Sequence, residues 1–243
     1  MKRIELNRNN IIKKIDEGME SVIYIYKDGS DVCCLKLFKK YIELPTKKIE
    51  IPEGTFENKR KKIEIINDDP LFSDEVRPIS LVYENGIFSG YTIELENYKT
   101  ADIFDSRKKK IEILRKYKEK IEEFNKHGIY IGDISENNIF VTENGIKLCD
   151  LDNIRIGNLD FDLKNYFQRE YLRNYEGIEN IDKYTFNMFT IGYLSRIVSD
   201  FIDNYLKKGK LPRPINSKRN YELIKDKNYT EDYFIDNLKK NII

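Results

Sequence analysis

The chain has 243 residues, which is enough for one large domain or for one domain with two lobes. Its 43 Lys and Arg nearly balance its 42 Asp and Glu, so the net charge of +1 gives no electrostatic reason to expect nucleic acid or an anionic membrane as a partner. A hydrophobic fraction of 40%, with 17 Tyr and 13 Phe, argues against a disordered chain.

The start of the chain and the cysteines indicate a cytoplasmic protein. Residues 1–7 are polar and mixed in charge, unlike a signal peptide. No apolar stretch approaches the roughly 18–20 residues that a membrane-spanning helix needs. Cys33, Cys34 and Cys149 have no Cys-x-x-Cys spacing, and His127 is the one histidine of the sequence. We therefore expect reduced thiols and no zinc site.

Residues 11–95 are predicted to form mostly strands, because short apolar and β-branched runs alternate there with turn residues. The pair Asn85-Gly86 is the one that a tight two-residue hairpin turn prefers. The predicted strands are 21–26, 32–38, 76–83 and 87–95, the predicted helix is 56–67, and residues 39–54 are predicted to be an irregular connection.

The pattern becomes helical from Asp102 onward. Apolar residues recur every three to four positions up to Gly128, which is suited to a left-handed helix cap: Ile111, Leu114, Tyr117, Ile121 and Phe124. The basic run 107–110 is interpreted as the solvated face of this helix rather than as a nucleic-acid site. Strands and tight turns are predicted over 129–157, a buried helix over 186–205 and a last helix over 230–240. The boundary between two lobes is predicted near 95–101.

Two features of the first half are suited to phosphate binding. Gly18 and Ser21 are small residues just ahead of a strand, where backbone N–H groups can approach phosphates, although a glycine before a strand is more often only a turn. Lys36 interrupts an apolar strand, so its ammonium group must either reach solvent at an edge or pair with an acid or a phosphate. Glu57 and Glu64 of the following helix are the candidate acidic partners, with Glu57 slightly favoured, and both are also compatible with solvent-facing positions.

The second half has the pattern most informative about chemistry. Asp133 lies in a turn between apolar stretches, Asn138 follows five residues later, and Asp150 comes after a short hairpin. A carboxylate such as Asp133 can orient or deprotonate a hydroxyl nucleophile. The oxygens of Asn138 and Asp150 are ligands that Mg²⁺ prefers, and the hairpin returns Asp150 close to Asn138. Each residue alone is also explained as a turn former or strand end, but the ordered set indicates phosphoryl transfer.

These motifs resemble those of the protein kinase superfamily, over about residues 12–198, and the chain looks like a divergent, bacterial-type member. The glycine-rich loop of that family is matched by Gly18, Ser21 and Ile23, with one of three glycines kept. Its strand lysine, catalytic loop, metal-binding triplet and later helix motif are matched by Cys34-Leu35-Lys36, by Ile131-Gly132-Asp133 with Asn138, by Asp150-Leu151-Asp152, and by Asn187 to Gly192.

The resemblance implies an α+β, two-lobed fold, with a small β-rich N-lobe over 1–96 and a reduced, mainly α C-lobe over 97–243. ATP would lie between the lobes, against a hinge of Glu94, Leu95 and Glu96 beside Ile93. Lys36 would bind the α- and β-phosphates and pair with Glu57. Asp133 would act on the acceptor hydroxyl, Asn138 and Asp150 would hold Mg²⁺, and the loop containing Gly18, Ser21 and Ile23 would cover the nucleotide.

Departures from the family pattern bear on the acceptor. Gly132 stands where many kinases have an Arg that reads a phosphorylated activation loop, and Ser135 stands where Ser/Thr kinases have a Lys. No Ala-Pro-Glu motif follows Asp152. The favoured function is a protein Ser/Thr kinase that transfers the γ-phosphate of ATP to an unidentified acceptor. A small-molecule kinase of the aminoglycoside or choline phosphotransferase type, and a nucleotide-binding pseudokinase or scaffold, are the alternatives.

Overall fold

The computed structural model of the chain describes residues 1–44, 47–95, 99–100, 107–143, 145–161, 178, 181–182 and 185–186. These residues form a mixed α/β structure with a six-stranded sheet, three small sheets and two long helices. The strands are β1 Lys2–Glu5, β2 Ile11–Glu17, β3 Ser21–Asp28, β4 Asp31–Phe38, β5 Tyr41–Leu44, β6 Lys47–Glu50, β7 Pro78–Glu84, β8 Ile87–Glu94, β9 Lys99–Thr100, β10 Ile129–Tyr130, β11 Ile139–Thr142, β12 Gly145–Leu148 and β13 Arg155–Ile156; the helices are α1 Glu53–Asp68 and α2 Arg107–Lys126.

The large sheet has the order β1-β7-β8-β4-β3-β2, in which β1 and β7 run parallel and the other neighbours run antiparallel. The four predicted strands of this region and the Asn85-Gly86 turn are confirmed, and both turn residues have the positive φ that such a turn needs. β4 lies between β3 and β8, so Lys36 is on a central strand and cannot reach solvent from a sheet edge.

The prediction that residues 39–54 are irregular was wrong. β5 and β6 form a small antiparallel hairpin there, and α1 already begins at Glu53. The hairpin lies outside the large sheet, so its pattern lacks the apolar face by which buried strands are recognised. The predicted helix 56–67 is confirmed as the main part of α1.

The buried face of α1 contains lysines as well as apolar residues. Ile63 and Ile66 are at most 1% exposed, and Lys59 and Lys62 are at most 2% exposed. Lys62 and Ile63 lie three and four residues after Lys59, and Ile66 lies one turn further, so the four positions share one side of the helix. The Lys62 ammonium group donates to the Asp160 carbonyl, which ties α1 to the segment after β13.

α2 packs its apolar side into a core that continues across the second half of the described chain. Its Leu114, Tyr117, Ile121 and Phe124 are at most 3% exposed, as the periodicity predicts. Gly128 follows the helix with a φ of +71°, which confirms the expected left-handed cap. The basic run at the start of α2 is not wholly a solvated face, since Lys110 is 7% exposed.

The segment between α1 and β7 joins the large sheet to the second half of the molecule. The Val76 amide donates to the Leu148 carbonyl at 3.0 Å, and the Leu148 amide donates to the Glu75 carboxylate at 2.5 Å. Lys120 of α2 also pairs with Glu75. Burial raises the pKa of Glu75, with Lys120 and the Leu148 amide acting against it. These contacts fix the sheet relative to β12, which precedes Asp150.

The predicted helices over 186–205 and 230–240 lie outside the described residues, apart from residue 186. The division into a unit over 1–96 and a unit over 97–243 stays a prediction. Within the described residues, neither helix is both long enough and apolar enough to cross a membrane.

Gly90 lets β8 approach β4 next to Lys36. A Cβ atom at residue 90 would overlap the carbonyl oxygen of Lys36, which belongs to the backbone and cannot rotate away. Gly90→Ala is therefore expected to lower the free energy of unfolding by about 3 kcal/mol, the upper end of the usual cost of overpacking. Urea unfolding followed by circular dichroism measures this change. Gly54→Ala in α1 is the matched control, because no described heavy atom outside the adjacent residues and the helix backbone lies within 4 Å of the added methyl group. Equal stability of the two variants would contradict the prediction.

Candidate active site

Lys36 on β4 reaches two carboxylates from the loop after β12. Its ammonium group donates to Oδ1 of Asp150 and, at 2.5 Å, to Oδ1 of Asp152. The Lys36 and Asp152 side chains are 9% and 3% exposed, whereas that of Asp150 is 43% exposed. Of the two alternatives that the sequence left open for Lys36, the structure shows pairing with acids rather than an ammonium group that reaches solvent at a sheet edge. Lys36 and Asp150, which are 114 residues apart in sequence, meet in one site.

Asp152 accepts hydrogen bonds from three side chains of the site. Its second oxygen, Oδ2, accepts a hydrogen bond from the Lys59 ammonium group of α1 at 2.6 Å, and Oδ1 accepts one from the Tyr91 hydroxyl of β8 at 2.9 Å. The Phe38 ring lies 5.2 Å from the Lys59 ammonium group and 5.8 Å from that of Lys36, and the Tyr91 ring lies 5.6 Å from that of Lys36. One carboxylate thus holds two lysines from different elements.

The electrostatics of this cluster favour an ionised Asp152. Burial opposes ionisation, but Lys36 and Lys59 outweigh it and hold the pKa of Asp152 well below its ordinary value. Burial raises the pKa of the Tyr91 hydroxyl, and the neighbouring Asp152 charge adds to this effect, so Tyr91 stays a hydrogen-bond donor.

Asp150 has a backbone conformation that few side chains adopt. Its φ of +61° and ψ of +37° place it in the left-handed region. A non-glycine residue there costs of order 1–3 kcal/mol, and such residues cluster at functional sites. The turn directs the partly exposed Asp150 carboxylate toward Lys36 while Asp152 is buried.

Asp133 and Asn138 are joined within one loop. The Asn138 amide nitrogen donates to the Asp133 carbonyl at 2.9 Å and to the Asp133 carboxylate at 3.1 Å. The Cys149 amide donates to the Asn138 carbonyl at 3.0 Å, so the residue before Asp150 is bonded directly to this loop. The pairing of β11 with β12 sets this arrangement. These hydrogen bonds link the loop of Asp133 and Asn138 to the residue before Asp150, whose carboxylate contacts Lys36, and they agree with the spacing prediction that Asp150 returns close to Asn138.

A buried aspartate, Asp182, orders the start of the same loop. Its two carboxylate oxygens accept hydrogen bonds from the Ile131 and Gly132 amides, both at 2.8 Å. Burial raises the pKa of Asp182 to about 7, although the two amides lower it. Gly132 has a φ of +71°, which explains a glycine at this position. The segment whose sequence resembles the later helix motif, Asn187 to Gly192, lies outside the described residues.

The turn between β2 and β3 lies near the lysine cluster. The Gly18 amide donates to the Ser21 carbonyl at 3.0 Å, which closes the turn, and Ser21 and Ile23 belong to β3. Ile23 pairs with Lys36 across β3 and β4. Glu20 lies 3.5 Å from the Lys59 ammonium group, so an acidic residue of this turn reaches the cluster.

The predicted hinge begins at the last residue of β8, Glu94, and continues beyond the strand. Ile93 and Glu94 pair with Cys34 and Cys33 of β4. Glu94 and Leu95 are exposed, and Glu96 lies outside the described residues. The three cysteines are free thiols, as expected.

The expectation that Glu57 or Glu64 pairs with Lys36 was wrong. Both carboxylates bond to Arg60 instead, at 2.6 Å for Glu57 and 2.7 Å for Glu64. They lie on the side of α1 away from its buried face, and Asp152 takes the place of the acidic partner.

Sequence reasoning missed Lys59, Asp152, Tyr91, Glu20 and Asp182. A signal for Lys59 was present, since it precedes Ile63 and Ile66 by four and seven residues and thus shares their apolar stripe. The second aspartate of Asp150-Leu151-Asp152 was visible, but nothing local indicates that it is the buried one.

No protein-family model matches the chain, and no curated protein is similar enough to count as a match.

Proposed function

We propose that the protein is a phosphotransferase with a two-lobed, protein kinase-like fold that transfers the γ-phosphate of ATP to a hydroxyl acceptor. One observation carries the proposal: Lys36 from the large sheet meets Asp150 from the loop after β12, while the amide before Asp150 is bonded to the loop that holds Asp133 and Asn138. Phosphoryl transfer needs these groups, and their order in the chain is the one that kinases use.

Each residue is given a role that suits its surroundings. Lys36 binds the α- and β-phosphates, because its ammonium group lies beside a partly exposed carboxylate at the surface of the cluster. The carboxylate of Asp133 orients the acceptor hydroxyl and takes its proton. Asn138 holds Asp133 in place through its amide nitrogen. Asp182 fixes the backbone of the loop.

The donor set fits a magnesium ion. Mg²⁺ is commonly bound by one or two carboxylates together with substrate phosphates and water. Asp150 would supply a partly exposed carboxylate, and Asn138, whose amide nitrogen is bonded to Asp133, would supply its amide oxygen. Within the described residues no three His, Cys, Asp or Glu side chains form a ready cage. When bound, the ion would neutralise negative charge on the phosphates.

The acceptor proposed is a Ser or Thr hydroxyl of a protein. A small hydroxylated metabolite is the competing acceptor, and a nucleotide-binding scaffold without transfer is the competing function. The four side chains Lys36, Asp133, Asn138 and Asp150 count against the scaffold, because binding alone does not need a base at Asp133.

Mass spectrometry of the purified protein after incubation with Mg²⁺ and ATP tests the proposal. We expect mass increases of one phosphate on the protein itself or on added protein substrates, mapped to Ser or Thr. A metabolite panel with free hydroxyl groups, assayed in parallel by ATP consumption, distinguishes the small-molecule kinase.

Asp150→Ala is expected to abolish transfer in these assays, and Glu143→Gln, an exposed acid of the β11–β12 hairpin, is the control expected to keep it. Unchanged turnover of Mg·ATP by Asp150→Ala would contradict the assignment. Nucleotide binding without transfer to any acceptor would favour the scaffold.

A further inference from the structure

Lys59 is a buried cation that the proposed roles leave unused. Its side chain is 3% exposed, and its ammonium group is shared between Asp152 at 2.6 Å and Glu20 at 3.5 Å. Lys36 is bonded to the same Asp152, so two ammonium groups converge on one side of the site. Two ammonium groups that share one carboxylate are hydrogen-bond donors suited to the phosphates of a polyphosphate chain.

Asp152 and Glu20, which both contact Lys59, differ in how firmly they are held. Asp152 is 3% exposed and accepts hydrogen bonds from Lys36, Lys59 and Tyr91. Glu20 is 32% exposed, lies farther from Lys59 and belongs to a surface turn. Burial raises the pKa of Glu20 despite the nearby Lys59 charge, which means that these surroundings disfavour the ionised carboxylate. Glu20 is therefore the anion that exchanges more readily.

Glu20 belongs to the turn that would cover the phosphates of the nucleotide. The ends of this turn are tied down, because the Lys39 side chain donates to the Gly18 carbonyl at 2.8 Å and the Lys39 amide donates to the Glu20 carbonyl at 2.7 Å. The neighbouring Met19 side chain is 63% exposed, whereas Glu20 is directed inward to the cluster. A phosphate entering beneath the turn would meet the carboxylate of Glu20 at Lys59.

We propose that Lys59 is a second phosphate-binding residue of the nucleotide site, and that the Glu20 carboxylate occupies it until a nucleotide phosphate replaces it. This inference rests on the proposed function and adds to it a residue that recognises a polyphosphate chain. Removing the Glu20 charge should then increase nucleotide affinity, and the increase should be larger for a nucleotide with more phosphates. Removing the Lys59 charge has the opposite effect.

Equilibrium binding of ATP, ADP and AMP, each with and without Mg²⁺, tests this inference by calorimetry on the full chain. Glu20→Gln is expected to tighten ATP binding about fivefold to tenfold, and Lys59→Met is expected to weaken it about tenfold, with little change for AMP. When Lys59→Met is already present, adding Glu20→Gln is expected to leave the ATP affinity unchanged. The reason is that the cation for which the Glu20 carboxylate and the phosphate compete has been removed.

Two controls separate this contact from general charge effects. Glu17→Gln removes the same charge from the last residue of β2, next to the turn, where Glu17 pairs with Lys14 and Lys39, and should leave the ratio of ATP to AMP affinity unchanged. Lys61→Met removes a charge from an exposed position of α1 and should do the same. If Glu20→Gln tightens ATP binding equally with and without Lys59, the proposal that a phosphate replaces Glu20 at Lys59 is overturned.

The outcomes distinguish this inference from the proposed function. Wild-type protein that binds no nucleotide would overturn both. Nucleotide binding that Lys36→Met weakens, but that Lys59→Met and Glu20→Gln leave unchanged, would overturn only the role of Lys59. Thermal unfolding of each variant checks folding, and if Lys59→Met does not fold, Glu20→Gln alone decides: tighter ATP binding supports the inference, and unchanged binding overturns it.

Discussion

Asp152→Asn is expected to lower the free energy of unfolding by about 3–5 kcal/mol, because it leaves the buried Lys36 and Lys59 ammonium groups without the carboxylate that they share. The substitution keeps the shape of the side chain, so the loss reports the charge rather than a cavity. Urea unfolding, monitored by circular dichroism, measures it. Asp150→Asn is the matched control, since its side chain is 43% exposed, and it should cost less than about 1 kcal/mol.

The Asp152 result should depend on the charge of Lys59. Adding Lys59→Met to Asp152→Asn removes one of the two buried cations that had shared the lost carboxylate and is expected to recover part of the lost stability, so the two changes should be strongly non-additive. A stability of Asp152→Asn within about 0.5 kcal/mol of wild type, the range of ordinary surface changes, would contradict the buried cluster.

The contribution of the Asp152 carboxylate to the free energy of unfolding should disappear in acid. The folded-state pKa of Asp152 lies below its unfolded value of about 3.9, since Lys36 and Lys59 outweigh burial. The stabilisation by this carboxylate is therefore complete above that pH and is lost as the pH falls below it. In Mg²⁺-free buffer, the stability difference between wild type and Asp152→Asn should accordingly narrow below about pH 4.

Asp133→Asn is expected to slow phosphoryl transfer by about 10²–10⁴-fold, the usual contribution of a general base. Nucleotide affinity should change little, because the proposed phosphate-binding groups are on other elements. The amide keeps the size of the side chain and its contact with Asn138. Single-turnover transfer from ATP measures the rate, and calorimetry measures the affinity.

The control for this prediction is Glu143→Gln, an exposed carboxylate change on the neighbouring hairpin that should leave the rate unchanged. Transfer by Asp133→Asn at the wild-type rate would assign the base to another residue. Equal losses of rate and affinity would indicate that the loop, rather than the base, was disturbed.

Much of the fold could be predicted because local patterns are strong where one face is buried. The strands β3, β4, β7 and β8, and the helices α1 and α2, follow from apolar periodicity and from turn residues such as Asn85-Gly86. The β5–β6 hairpin could not be predicted in this way, since it lies outside the large sheet and carries no such pattern.

The candidate site was predictable in part for a related reason. A lysine inside an apolar strand must either reach solvent at a sheet edge or find an anion, and the central position of β4 leaves Lys36 only the second. Which anion satisfies it depends on the rotation of α1, which directs Glu57 and Glu64 to Arg60 and brings Lys59 inside.

The sequence by itself determined which chemical groups are present and which of them sit on strands, helices and turns, because these depend on neighbours within a few residues. Only the tertiary structure decided that Asp152 is the shared partner of Lys36 and Lys59, and that Asp182 holds the loop before Asp133. The physical reason is that a buried charge is stabilised by whatever opposite charge or donor lies within hydrogen-bond distance, and packing brings together residues that are about 50 to more than 100 positions apart.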